Sequence, residues 1–266
     1  MLPYFQWTTI SFGPLTLQVW GLFVSIGMAL TIGILAKRAK RLGMNVEQLL
    51  DQAIWMIVGG FLFARLFHVF FYEPFYYLGN PVEMLKIWHG GLSSFGGVVG
   101  AGVGFLVYRI KYAQKQSFVE VADLFAYAAL FGWMVGRIGC FMIHDHLGVH
   151  STCPLAMRIP GDLARRSVIG DGRLDMAFME ILGLVPLAIL FFVFRKKRML
   201  AGWFTSVLFL YYGVLRFILD FFRATDISNP DARYFGLTPG QYSAIIMAVL
   251  GAAIFFQHRR RTKKCV

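Results

Sequence analysis

The chain has 266 residues, 58% of them apolar and only 15% charged, with 27 Phe, 11 Tyr and 6 Trp. A soluble domain of this length carries about a quarter charged residues, so the composition excludes a soluble globular protein, and equally a disordered or fibrous one. A formal charge of +12 would point a soluble protein toward nucleic acid; in so apolar a chain it is first a matter of membrane topology.

Seven segments are long and apolar enough to cross a bilayer as helices. In chain order they are Leu15–Ala36, Gln52–Tyr72, Gly91–Tyr108, Val119–Ile143, Met176–Phe194, Trp203–Phe222 and Thr238–Gln257. No Lys or Arg precedes Lys37. The N-terminus therefore lacks the positive region of a cleaved signal peptide, and the first span is expected to stay in the mature protein. The first, third and fifth connections carry Lys37, Arg38, Lys40 and Arg41, then Arg109, Lys111 and Lys115, then Arg195–Arg198, and the tail adds five more basic residues. This alternation predicts an outer N-terminus and a cytoplasmic C-terminus, and it accounts for the charge without nucleic acid. The expectation is one all-α domain over residues 1–266, with an outer loop region at about 144–175.

Two outer connections are more than turns. Glu73–Gly90 mixes aromatics with few charges and is expected to lie in the interface. His144–Asp175 is long enough to be functional or disordered. In the third span Gly96, Gly100 and Gly104 recur every fourth residue, a stripe that lets helix backbones approach closely. Cys140, Cys153 and Cys265 have no CxxC spacing and point to no disulfide framework or zinc site. His144, His146 and His150 invite a metal reading, but their spacing fits no recognised zinc motif, and polar lining is the simpler account.

The ionisable residues inside the spans carry the functional signal, because an Arg near a helix centre costs about 2.5–3.5 kcal/mol to insert. Arg65, Arg137 and Arg216 all fall in the outer half of their spans. Asp220 and Tyr212 share the helix face of Arg216, which Arg223 continues; Asp145 closes the helix of Arg137, and Glu180 lies near the outer end of the fifth span. Asp123, at the cytoplasmic end of the fourth, has a helix-start role. Arg65 and Glu180 read equally well as paired buried charges that hold helices together. For Arg137 and Arg216 the better reading is an outward-facing site for a lipid phosphate, since guanidinium stays charged when desolvated and binds phosphate bidentately.

The segment VGRIGCFMIHDHLG, Val135–Gly148, resembles the signature GRxGNFxNxExxG of the bacterial prolipoprotein diacylglyceryl transferases. LQVWGLFVSIG, ARLFHVFFY, WHGGLSSFGG, YYGVLRFILDFFR and PGQYSAIIM resemble further family segments in the same order, so the resemblance covers nearly the whole chain. It implies a multi-pass enzyme of the bacterial plasma (inner) membrane. Such an enzyme moves a diacylglyceryl group from phosphatidylglycerol to the lipobox cysteine of a prolipoprotein and releases glycerol phosphate, with no metal or organic cofactor. On the matching positions Arg137 and Arg216 would hold the phosphate, and Asp145 and Asp220, where the family usually has Glu, would orient them. Arg65, Tyr212, Gly148 and Glu180 would complete the substrate site.

The chain also departs from the family pattern. Phe95 stands where the family has a histidine, Cys140 and Ile143 where it has asparagines, and Trp20 where it has tyrosine. His144 or His146 are candidate substitutes for the missing imidazole. The alternative implied by these departures is a non-catalytic or altered-specificity phospholipid-binding paralogue of the same fold.

Overall fold

The computed structural model describes residues 1–13, 15–86, 91–112, 116–158, 172–197, 199–227, 231 and 233–263. Among them the chain is mostly helical, and six helices are long and apolar enough to cross a membrane. These are α1 (Val19–Arg41), α2 (Val46–Phe71), α5 (Phe118–Ile143), α6 (Met176–Val193), α7 (Trp203–Asp220) and α8 (Pro239–Lys263). Between α2 and α5 lie a short α3 (Pro74–Gly79), a 3-10 turn at Pro81–Leu85 and the glycine-rich α4 (Ser94–Lys111). Large apolar side chains such as Ile54, Phe70, Ile189, Ile246 and Val249 point outward, as they do where lipid replaces water.

The first span begins later than the sequence pattern suggests. Leu15–Gln18 is a strand, β2, paired antiparallel with β1 (Thr9–Phe12), and the chain turns between them at Gly13, φ +60°. The apolar residues that read as a helix start alternate in a hairpin, and α1 then runs on through its basic cluster to Arg41. Three more strands fold the outer loop: β3 (Leu147–His150), β4 (Met157–Arg158) and β5 (Gly172–Asp175), in the order β3-β5-β4 and antiparallel throughout. Residues 159–171 of that loop, and residues 87–90 with His89, lie outside the described residues.

The chain forms two compact units. One comprises Met1–Ile34 with Ala122–Val266, and the other Leu35–Val121. In the smaller unit α2 is started by Asn45, whose side chain accepts from the Gln48 N–H at 3.1 Å. It meets α4 along the glycine stripe: a Cβ on Gly100 would lie 2.2 Å from the Gly59 carbonyl oxygen, and one on Gly104 2.3 Å from that of Trp55. Only glycine permits so close an approach of two backbones.

In the larger unit Tyr127, Leu130, Leu184, Leu187, Phe191 and Phe204 form the core among α5, α6 and α7. Asp123 starts a helix, though not its own. Gly202 opens α7 in the left-handed conformation with no side-chain cap of its own, and the Asp123 carboxylate of α5 accepts from the Gly202 N–H (2.7 Å), the Thr205 N–H (2.8 Å) and the Thr205 hydroxyl (2.8 Å). α8 starts on a capping box: Thr238 Oγ1 accepts from the Gln241 N–H at 3.1 Å while Gln241 Oε1 accepts from the Thr238 N–H at 2.9 Å, with Pro239 at the first helical position.

Candidate active site

The ends of four helices meet in the larger unit. The last two turns of α5 and α7 carry Arg137 and Arg216, and the first two turns of α6 and α8 carry Glu180 and Gly240. Glu180 is completely buried and organises the rest. Its Oε1 accepts from Arg137 Nε (2.8 Å), Trp133 Nε1 (2.9 Å) and the Tyr212 hydroxyl (2.9 Å), and its Oε2 accepts from Arg216 Nη1 (3.0 Å). Four donors converge on one carboxylate, three on Oε1 and one on Oε2. Each guanidinium spends a single nitrogen on Glu180, so most of each planar fork points elsewhere. The Arg137 guanidinium also lies 4.8 Å over the Trp133 ring, which fixes its plane.

Asp220 performs the same service on the far side of Arg216. Its Oδ1 lies 3.1 Å from Arg216 Nη2, and its Oδ2 accepts from the Thr238 hydroxyl at the start of α8. That oxygen leaves no room on the neighbouring helix: a Cβ on Gly240 would come within 2.5 Å of it. Arg223, just beyond α7, pairs with Asp231 at 2.9 Å and donates to His146 Nδ1 at 3.1 Å.

The outer sheet holds Arg223 in place through the backbone. Gly148 bridges to Arg223, the Val149 N–H donates to the Phe222 carbonyl (2.8 Å), and the Ala224 N–H donates to that of Leu147 (3.1 Å). Gly148 is needed as glycine here, since a Cβ would meet the Leu174 and Phe222 carbonyls at 2.9 Å. Arg173 of β5, fully buried, donates to the Gly148 carbonyl at 3.0 Å and to Asp226 Oδ1 at 3.0 Å. That pairing holds the Asp226 carboxyl well down, at about 2.

The structure thus brings together Arg137, Arg216, Asp220, Tyr212 and Glu180, with Gly148 as a backbone neighbour of Arg223. Glu180, expected beside the substrate, is sealed among the arginines and bonds to them instead. Asp145, expected to orient Arg137, stands beside His146 at 3.6 Å. Partial desolvation pushes its carboxyl up to about 6, against the pull of Arg137. His146 is driven down to about 3, by burial first and then by Arg223 and Arg137. Arg65 is held within the smaller unit, where its Nε donates to the Met84 carbonyl (3.0 Å) and its Nη1 to that of Gly91 (2.9 Å), with the Tyr77 ring 5.1 Å away.

The three histidines do not converge. His144 Nδ1 lies 2.8 Å from Asp175 Oδ2 and its Nε2 contacts the Phe5 carbonyl, so neither nitrogen offers a free lone pair. His150 faces Arg173 and Asp226. The sequence reading did not single out Trp133, Arg173 or Thr238. Only the Thr-Pro-Gly-Gln run at Thr238 carried a legible signal, that of a capping box.

Comparison with known proteins adds an independent finding. Residues 8–257 match the family described as prolipoprotein diacylglyceryl transferase. Among curated proteins the chain is similar to the phosphatidylglycerol–prolipoprotein diacylglyceryl transferases of three bacteria. For Mannheimia succiniciproducens the identity is 34% over 98% of this chain and 96% of the relative. For Nitrosomonas europaea it is 33% over 96% and 90%, and for Haemophilus influenzae 33% over 96% and 93%.

Proposed function

The chain belongs to the prolipoprotein diacylglyceryl transferase family, and on that premise we propose that it transfers the diacylglyceryl group of phosphatidylglycerol to the cysteine thiol of a prolipoprotein, releasing glycerol phosphate. The observation that carries the assignment of the site is the pair of guanidiniums, Arg137 and Arg216, brought side by side by one buried carboxylate, with Arg137 Nη2 and Arg216 Nε spent on neither Glu180 nor Asp220. The N-termini of α6 and α8 lie at the same end of the bundle and add their partial positive charge. A phosphate diester seated there gains charge-assisted hydrogen bonds, and these strengthen as the carbon–oxygen bond to the diacylglyceryl carbon breaks and negative charge collects on the leaving phosphate. Glu180, Trp133, Tyr212 and Asp220 act through the arginines by fixing their planes.

The membrane setting belongs to the same reading. α4 is the seventh span, the N-terminus lies outside and the C-terminus in the cytoplasm, and the whole forms one domain in the bacterial inner membrane. The basic residues closing α1 and α4 support this orientation. It places the arginine site on the outer side, where a secreted acceptor arrives.

The test is reconstitution with phosphatidylglycerol and a lipobox-cysteine peptide, read by mass spectrometry. A diacylglyceryl mass increment on the peptide, absent from its cysteine-free version, is expected. Phe95 in the family's histidine position favours a second reading, a phospholipid-binding paralogue without transfer. Retained phosphatidylglycerol binding with no increment, beside a working relative, would replace the first reading by that one.

A further inference from the structure

The start of α2 and the end of α4 line a cavity of about 490 Å³ that lies wholly within the smaller unit. Its walls are Gln48, Asp51, Ile54 and Trp55 of α2, with Tyr108 of α4 and Tyr112 at its end. The volume falls in the range of about 300–1,000 Å³ usual for small-molecule sites. Gln48, Asp51 and Trp55 follow one another at intervals of three and four residues, and so share a face of α2; Tyr108 and Tyr112 do the same on α4. The helices touch backbone to backbone beside them, because a Cβ on Gly104, one turn before Tyr108, would run into the Trp55 carbonyl. That contact fixes the floor, where Tyr108 is buried.

Three rings make one aromatic wall. The centroids of Tyr108 and Tyr112 are 4.7 Å apart, and that of Trp55 lies 6.4 Å from the first and 6.3 Å from the second. Lys111 reaches over this wall, its Nζ 5.1 Å from the centre of the Trp55 ring and 5.5 Å from that of Tyr112. Asp51 is exposed on the α2 side. Among the described residues neither Asp51 nor Lys111 is in an ion pair. The cavity thus presents one carboxylate and one ammonium that do not neutralise each other, beside ring faces that attract cations.

A simple anion or a simple cation would match one of those charges and be repelled by the other. A zwitterion that carries an ammonium and a phosphate matches both. The apolar surroundings identify its source as the bilayer. From the cavity an outward stripe of Ile54, Val58 and Leu62, each four residues after the last, runs up α2 and gives an acyl chain a track to follow. Trp and Tyr are also the side chains that sit at headgroup level.

We propose that this cavity binds the headgroup of an amine-bearing zwitterionic phospholipid, of the phosphatidylethanolamine class, with its ammonium on Asp51 and its phosphate on Lys111. The phosphate draws Lys111 off the Trp55 ring, and the ammonium of the lipid takes that face. A primary ammonium has three N–H donors, for which the Asp51 carboxylate and the Gln48 amide oxygen are acceptors. A trimethylammonium has none, so the carboxylate selects the primary amine. The inference does not depend on the transferase reading, and no bond is made or broken.

The test uses the full-length protein, delipidated in detergent and titrated separately with dioleoyl phosphatidylethanolamine and dioleoyl phosphatidylcholine, with binding read by native mass spectrometry. These two lipids differ only in methylation of the amine. The ethanolamine lipid should bind at least about tenfold more tightly, the worth of one hydrogen bond to a charged group. Asp51→Asn should abolish that preference, and Tyr112→Leu should weaken the ethanolamine lipid by about tenfold through loss of a ring face. Both positions are exposed, so each variant should keep the wild-type thermal midpoint. Absence of binding, equal affinity for the two lipids, or a preference that survives Asp51→Asn overturns the site. Unchanged binding by Tyr112→Leu overturns the placement of the headgroup against the rings.

Discussion

Glu180→Gln tests the centre of the site, because it changes charge with almost no change in shape. The amide oxygen can keep the Oε1 position and its three donors, Trp133, Arg137 and Tyr212. The amide nitrogen then replaces Oε2 and turns a donor toward Arg216 Nη1, which stood 3.0 Å from an acceptor. Two buried guanidiniums lose their shared counter-ion, and Arg216 is left with Asp220 alone. Removing one partner of a buried ion pair costs about 3–5 kcal/mol. The upper half of that range applies here, since the carboxylate is fully buried and serves two cations. Misplacing one transition-state donor costs about 10²–10³-fold in turnover, and both arginines are affected. The expected result is a marked fall in the thermal midpoint in detergent and a loss of transfer of at least that size. Adding Arg137→Gln to Glu180→Gln restores the original charge balance and should recover part of the stability but none of the activity. A Glu180→Gln protein with wild-type midpoint and turnover would refute the claim that this carboxylate organises the arginines.

Other perturbations separate positioning from stability. Arg137→Lys keeps the charge but cannot reach Glu180 and a phosphate oxygen together; transfer should fall at least about 100-fold, with KM for phosphatidylglycerol raised, and a wild-type KM would remove Arg137 from the lipid. Asp123→Ala strips three hydrogen bonds from the start of α7, about 20 Å along that helix from Arg216. It should lower stability by about 1–2 kcal/mol with KM unchanged, and a changed KM would show that the two ends of α7 are coupled. Asp226→Asn removes a carboxylate held at about 2 by Arg173. Because the folded value is depressed, its stabilisation is complete above the ordinary value near 3.8 and fades as pH falls toward 2. Melting curves of wild type and variant should differ at pH 7, by no more than about 1 kcal/mol for so exposed a group, and converge at low pH; a gap that stays constant would deny the pairing.

Helix positions and the arginines of α5 and α7 were legible because each is a local signal: a long apolar run, and a cation where lipid makes cations costly. Which carboxylate holds those arginines was not legible. Arg137, Glu180 and Arg216 are separated by 43 and 36 residues, and nothing in sequence periodicity tells which of several carboxylates is fully buried. Glu180 therefore reads equally as a substrate contact or as a paired buried charge until the fold shows four donors converging on it. The hairpin was missed for a different reason: Leu15–Gln18 adjoins an apolar helix, and a four-residue alternation cannot be told from its first turn. From the sequence Asp123 reads as a helix starter at the end of its own span, since the pattern names only the nearest helix, whereas the carboxylate crosses to the start of α7. Arg173 lay in a stretch read as loop, and only the strand pairing of β3 with β5 sets it against Gly148 and Asp226.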